Sequence, residues 1–143
     1  MTPPGTPAWE HFEHMADIGV RGYGETLEEA FAQAAVALSA IVTEPDLIRA
    51  EQAEEFRCAG NDTEFLLLDW LNALIFAMST RHLLFGRFDV RIAEDGLQAT
   101  AWGEPIDRQR HHPAVEPKGA TLTELKVYHD DHGRWVAQDV IDV

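Results

Sequence analysis

Asp17 and Asp142 are the acidic residues whose settings could support chemistry. Asp17 lies in His14-Met15-Ala16-Asp17-Ile18-Gly19, between two apolar neighbours and two extended segments. Taken locally, it is a loop aspartate that caps nearby backbone N–H groups. Chemistry there requires a second acidic group delivered by the fold. Asp142 is the penultimate residue of a Val- and Ile-rich segment, and the carboxylate of Val143 follows one residue later. Two carboxylates so spaced concentrate hard oxygen donors. Asp17 would add a third anionic ligand, a set suited to Ca²⁺, Mg²⁺ or Mn²⁺. Chain ends are ordinarily mobile, but Trp135-Val136-Ala137 and Val140-Ile141 predict a last segment docked in a sheet.

Other chemistries find less support. His11-x-x-His14 and His111-His112 invite zinc, yet no Cys-based spacing and no His-Glu-x-x-His sequence accompanies them. Cys58 sits in the strand-like Glu55-Phe56-Arg57-Cys58-Ala59 and reads as a packing residue. Neither a Gly-x-Ser-x-Gly elbow nor a phosphate-binding glycine loop is present. His129-Asp130-Asp131-His132 reads as a polar hairpin tip. Trp9, Trp70, Trp102 and Trp135 read as core anchors.

Charge narrows the partners. The 143 residues carry 11 Lys and Arg against 25 Asp and Glu, a net charge of −14. Such a surface repels phosphate backbones and anionic membranes, so no stable direct grip on nucleic acid and no membrane association is expected. A basic protein or a hard divalent cation suits the sign. One cysteine excludes an internal disulfide framework. Met1-Thr2-Pro3-Pro4-Gly5 lacks the basic and apolar regions of a signal peptide, which predicts a cytoplasmic protein.

These residues need elements to position them. Residues 1–8 read as a flexible leader and 9–143 as one domain. Trp9 to His14 and Val20 to Gly24 are extended. Thr26 opens a helix, and Glu29 completes a capping box. Leu27, Ala30, Phe31, Ala34, Leu38 and Ile41 form its apolar stripe. Glu54 to Ala59 is a strand candidate. Asp62 or Thr63 caps a second helix to about Arg81, apolar nearly all round and so predicted to be buried. Strands are expected at Leu83–Ala93, Leu97–Gly103, about Ala120–Tyr128 and Arg134–Val143, with turns at Asp95-Gly96 and His132-Gly133. Glu104 to Lys118 reads as a long ordered loop. Early helices and late strands predict an α+β fold with a mainly antiparallel sheet and two principal helices.

Four stretches resemble the archease family. They are Trp9 to Gly24 with Thr26 to Phe31; Leu66-Leu67-Leu68-Asp69-Trp70-Leu71-Asn72; Gly103-Glu104-Pro105-Ile106-Asp107 with His111; and Gly133 to Gln138 through Asp142-Val143. The similarity implies an α+β domain with an inserted strand–helix–strand–strand module. It also implies a transient partner, an RtcB-type RNA ligase, which joins 2′,3′-cyclic-phosphate or 3′-phosphate RNA ends to 5′-hydroxyl ends using GTP and Mn²⁺. A member of this family speeds the ligase's guanylylation and supports its repeated turnover in tRNA splicing or RNA repair, without being a ligase. The family's divalent-metal site falls on Asp17, Asp142 and the main-chain carboxylate of Val143, with Ca²⁺ expected and Mn²⁺ or Mg²⁺ compatible. His14 and Lys118 become candidate contacts with the ligase. Thr121-Leu122-Thr123 departs from the Thr-Tyr-His common in the family, and Met15 replaces a common Thr.

The leading expectation is therefore a non-catalytic activator. The alternatives are a metal-dependent hydrolase using Asp17 and Asp142, for which no general base is evident, and a chaperone-like module for RNA-modifying enzymes.

Overall fold

Both long helices begin where the sequence supplies a cap. The computed structural model describes residues 7–143; residues 1–6 of the expected leader lie outside the described residues. Helix α1 (Leu27–Val42) starts at Thr26, whose Oγ1 accepts the Glu29 N–H at 3.1 Å. The returning arm of the capping box is shifted by one residue: Glu29 Oε2 accepts the Glu25 N–H at 2.9 Å, not that of Thr26. Gly24 leaves room for this, since a Cβ there would lie 2.4 Å from Glu29 Cβ. Helix α2 (Thr63–Arg81) is capped by Asp62, whose Oδ1 accepts from Glu64 and Phe65. It stops at His82 in the left-handed region, φ 54°.

The strands form two antiparallel sheets. The first has the order β1 (Trp9–His14), β2 (Asp17–Gly24) and β8 (Trp135–Asp142), with β6 (Gly119–Ala120) and β7 (Lys126–His129) both on the far side of β8. The second has the order β3 (Gln52–Ala59), β5 (Gly96–Pro105), β4 (Leu83–Ala93). Thus β3-α2-β4-β5 is a strand–helix–strand–strand module set between α1 and β6, as the family resemblance implied, within the expected α+β fold. A short helix, α3 (Arg108–His111), interrupts the segment expected as a loop.

Close approach of α1 to the first sheet fixes the core. A Cβ at Gly22 would sit 2.2 Å from Ala34 N, so only glycine lets α1 lie on β2. Ala30, Phe31, Ala34, Leu38 and Ile41 are buried there. Trp70 of α2 is fully buried and donates its Nε1–H to Phe31 O at 3.2 Å. It meets Phe56 and Phe88 edge to face.

Three expectations need correction. Helix α2 is not buried all round: Phe65 and Phe76 are 57% and 70% exposed, because only one side of α2 meets the sheets. Of the four tryptophans, Trp70 alone is fully buried. Trp102 lies on the open face of the second sheet under the Arg87 guanidinium, 4.7 Å from its ring centre. The strand expected over about Ala120–Tyr128 is broken: Ala120 pairs with Ile141 and Lys126 with Gln138, so 121–125 face only Asp139 and Val140. Glu124 turns this bulge at φ 54°. The hairpin tip is polar as expected, and Asp130 also fastens it, accepting the His132 and Arg134 N–H groups.

Candidate functional site

The β1–β2 hairpin carries Asp17 on its first β2 position, directly across from His14. Met15 and Ala16 make the tip. Met15 has φ 56° and a 96% exposed side chain, a strained apolar residue held out in solvent. Phe12 braces the hairpin from beside the tip. Its ring covers Gly19, where a Cβ would lie 2.3 Å from Phe12 Cζ, and the Arg21 guanidinium stands 4.5 Å above the same ring.

Register brings the distant carboxylate to this hairpin. Ile18 pairs with Ile141 across β2 and β8. Asp17 and Asp142 each lie one residue beyond this pair, at the same end of the two strands. Side chains alternate across a strand. Val20, Ala137 and Ile141 belong to the core, so Asp17 and Asp142 project from the face turned away from the helices. Asp142 is exposed, and its C=O accepts the Lys118 N–H at 2.7 Å. Val143 is half-buried and packs against the core, so the last residue is docked as expected. All five residues singled out by the sequence, His14, Asp17, Lys118, Asp142 and Val143, lie at one end of one sheet.

Asn72 is a supporting residue that sequence reasoning missed. Its Oδ1 accepts the Ala120 N–H at 2.9 Å, tying β6 to α2 beside Asp142. The available signal was a side-chain amide inside an otherwise apolar helix.

The donor set decides what this end could hold. Neither Asp17 nor Asp142 enters an ion pair among the described residues. No group of three or more His, Cys, Asp or Glu side chains is gathered around one point among the described residues. What this end presents is instead two side-chain carboxylates, those of Asp17 and Asp142. All-oxygen donors fit a hard cation whose remaining positions are filled by water. They do not fit a zinc site built from histidines. His11 lies on the other face of β1 from His14 and contacts Ala37 O through Nε2 at 2.7 Å.

His111 is likewise committed, in a second acidic cluster of opposite character. Glu104 is 3% exposed and accepts the Arg49 N–H at 2.7 Å, with the Arg110 guanidinium and His111 Nε2 on its two oxygens. The Asp107 N–H donates to His111 Nδ1 at 2.8 Å, so Nε2 carries the proton donated to Glu104 at 2.9 Å. Burial opposes the charge on Glu104, but Arg49, Arg110 and His111 hold its carboxyl down to about 2. Thr43 Oγ1 donates to His111 O, and the Ala114 N–H to Val42 O, so the segment is fastened to the end of α1. The Gly103-Glu104-Pro105-Ile106-Asp107 motif with His111 is thus internal architecture.

An α+β domain of two antiparallel sheets, one ending in unpaired carboxylates, defines an acidic module with an oxygen-rich sheet end. Residues 9–143 match the model of the Archease protein family (MTH1598/TM1083). The chain belongs to the archease family. It is 40% identical over 139 residues to the archease of Pyrococcus abyssi, covering 94% of this chain and 98% of that relative. The archease of Methanopyrus kandleri is 37% identical over 139 residues, covering 94% and 99%. Among solved structures, protein 1598 of Methanobacterium thermoautotrophicum superposes with a TM-score of 0.82 at 33% identity, over 95% of this chain and 99% of that one. A Thermotoga maritima protein described as an archease and possible chaperone shares the fold, with a TM-score of 0.60 at 21% identity, over 100% and 98%. No helix among the described residues is long and apolar enough to cross a membrane.

Proposed function

We propose that this protein is a non-catalytic activator of an RtcB-type RNA ligase, acting through a divalent ion held by Asp17, Asp142 and the terminal carboxylate of Val143. The observation that carries the reading is the pairing of Ile18 with Ile141, which brings the next residues, Asp17 and Asp142, to the same end of β2 and β8. They are 125 residues apart in the chain (142 − 17), and no ion pair relieves them among the described residues. Adjacent like charges disfavour a fold, so their placement is best accounted for by a bound cation or a basic partner.

The chain's own residues have three tasks in this reading. Asp17 and Asp142 present oxygen donors on a rigid sheet end. His14 and Lys118 flank them and meet the ligase. The net charge of −14 steers the domain toward a basic surface and away from RNA. When bound, Ca²⁺, Mn²⁺ or Mg²⁺ would supply positive charge for phosphoryl-transfer chemistry at the ligase's nucleotide pocket.

The test is guanylylation and multiple-turnover ligation by the cognate ligase, with GTP and Mn²⁺, at substoichiometric amounts of this protein. Acceleration of both, with no turnover by the protein alone, is the expected result. No acceleration across Mn²⁺ and GTP concentrations sinks the reading and favours a chaperone-like role, the description given to the Thermotoga maritima relative.

A further inference from the structure

Asp139 is a buried acidic residue on the core side of the first sheet, and no cation pairs with it among the described residues. It lies opposite Val20 and between Ala137 and Ile141, which are core residues. It is fully buried. Its Oδ1 accepts the Val140 N–H at 2.8 Å, while its buried Oδ2 has no hydrogen-bond partner among the described residues. Burying an ionised carboxylate without a cation is costly, and such groups stay protonated instead.

The surrounding titratable groups do not compensate. On β2, Asp17, Arg21 and Tyr23 alternate onto the opposite face, as does His14 of β1. His11 and Glu13 of β1 lie beyond Val20 and Ile18, and His11 is engaged by Ala37 O. On α1 the acidic residues are Glu28 and Glu29 of its first turn. On α2, Glu64 and Asp69 are exposed, and Arg81 is paired with Glu54. Beside the bulge, Lys118 is exposed, and Glu124 pairs with Lys126 at 3.3 Å in solvent. Tyr128 and His129 of β7 pair with Val136 and Trp135, at the far end of β8 from Ile141.

The two flanks of Asp139 differ in strength. On one side β2 is paired with β8 over seven consecutive positions. On the other, 121–125 rest on Val140 through backbone bonds of 3.1 and 3.2 Å and the Thr121 hydroxyl at 2.8 Å, with Gln138 Nε2 donating to Glu124 O at 3.1 Å. Water reaches an ionised Asp139 more cheaply by lifting 121–125 than by parting β2 from β8. We propose that Asp139 is a proton-held latch: neutral, it lets the 121–125 segment close on β8, and ionised, it opens that segment to water.

The sign follows from burial, which pushes the Asp139 carboxyl from an ordinary 3.8 up to about 7, with the Val140 N–H acting the other way. Below the ordinary value both folded and unfolded chains hold the proton. Between there and about 7 the folded chain alone holds it. The stabilisation is therefore lost as pH rises through that window. Within that window the open population rises about tenfold per pH unit, and above about 7 it levels off because the closed form is ionised as well.

The test is hydrogen exchange of the intact chain from about pH 5.5 to about pH 8.5, corrected for intrinsic rates, for wild type and Asp139→Asn. In wild type, protection over 119–125 should fall at least about tenfold, while the β3-β5-β4 sheet keeps its protection. Asp139→Asn, which retains the acceptor for Val140, should show no such slope. Equal profiles for the two proteins, or a loss spread evenly over both sheets, overturn the proposal. Should Asp139→Asn not fold, a ¹³C-carboxyl titration of Asp139 in the unaltered chain decides. Ionisation near neutrality supports the latch, and ionisation in the ordinary acid range overturns it.

Discussion

Glu104 and the Asp17–Asp142 pair are both acidic, both fixed by the fold, and opposite in design. Glu104 is buried and answered on every side by the Arg49 N–H, Arg110 and His111. Asp17 and Asp142 sit at a sheet end, with Asp142 exposed and neither in an ion pair among the described residues. A carboxylate that satisfies its own surroundings is structure. A pair of carboxylates left facing outward is, in the proposed function, the place where a cation or partner binds. Removing the first should cost stability, and removing the second should cost function.

The largest effect should come from Glu104→Ala. It leaves His111 Nε2–H, the Arg49 N–H and Arg110 without their acceptor. Breaking a buried pair in this way costs about 3–5 kcal/mol, read as the denaturant midpoint. Asp142→Asn should shift that midpoint by less than about 0.5 kcal/mol, because it is an exposed site. If the two variants lose stability alike, the contrast fails.

Next is Gly19→Ala. Its Cβ would be forced against the Phe12 ring, at a cost of about 1–3 kcal/mol. The displaced hairpin should also weaken divalent-cation binding, measured by calorimetry against wild type. Intact binding would mean that Asp17 does not depend on the brace.

Acid sharpens the same contrast. The ordinary carboxyl value of Glu104 is 4.5 and its folded value about 2, so its stabilisation is complete above the former and lost as pH falls toward the latter. Glu104→Gln should flatten the wild-type acid decline in thermal midpoint over that window. A parallel decline in both proteins would assign acid sensitivity to another group.

The smallest effect is Met15→Gly. Relieving a positive φ should raise stability by about 1 kcal/mol. If Met15 is held at the tip for a partner, ligase stimulation should fall even as the midpoint rises.

What was legible follows the range of the interactions. Thr26, Asp62 and the apolar stripe of α1 are local signals, and the helices start where these residues say. Asp17 and Asp142 could be grouped by chemistry, but their meeting depends on β2–β8 register across the length of the chain. Glu104 and His111 read as loop residues because their fastening uses Arg49, 55 positions from Glu104. The break at 121–125 was hidden since Leu122 and Leu125 look strand-like. Hydropathy alone also could not show that Phe65 and Phe76 face solvent.

The most direct measurement is ligase guanylylation with Asp17→Asn beside wild type, at equal concentrations and with matched melting curves. The account predicts unchanged melting and loss of at least about tenfold in stimulation, the scale of one lost charged contact. Full stimulation by Asp17→Asn would contradict it and leave the carboxylate end without its assigned role.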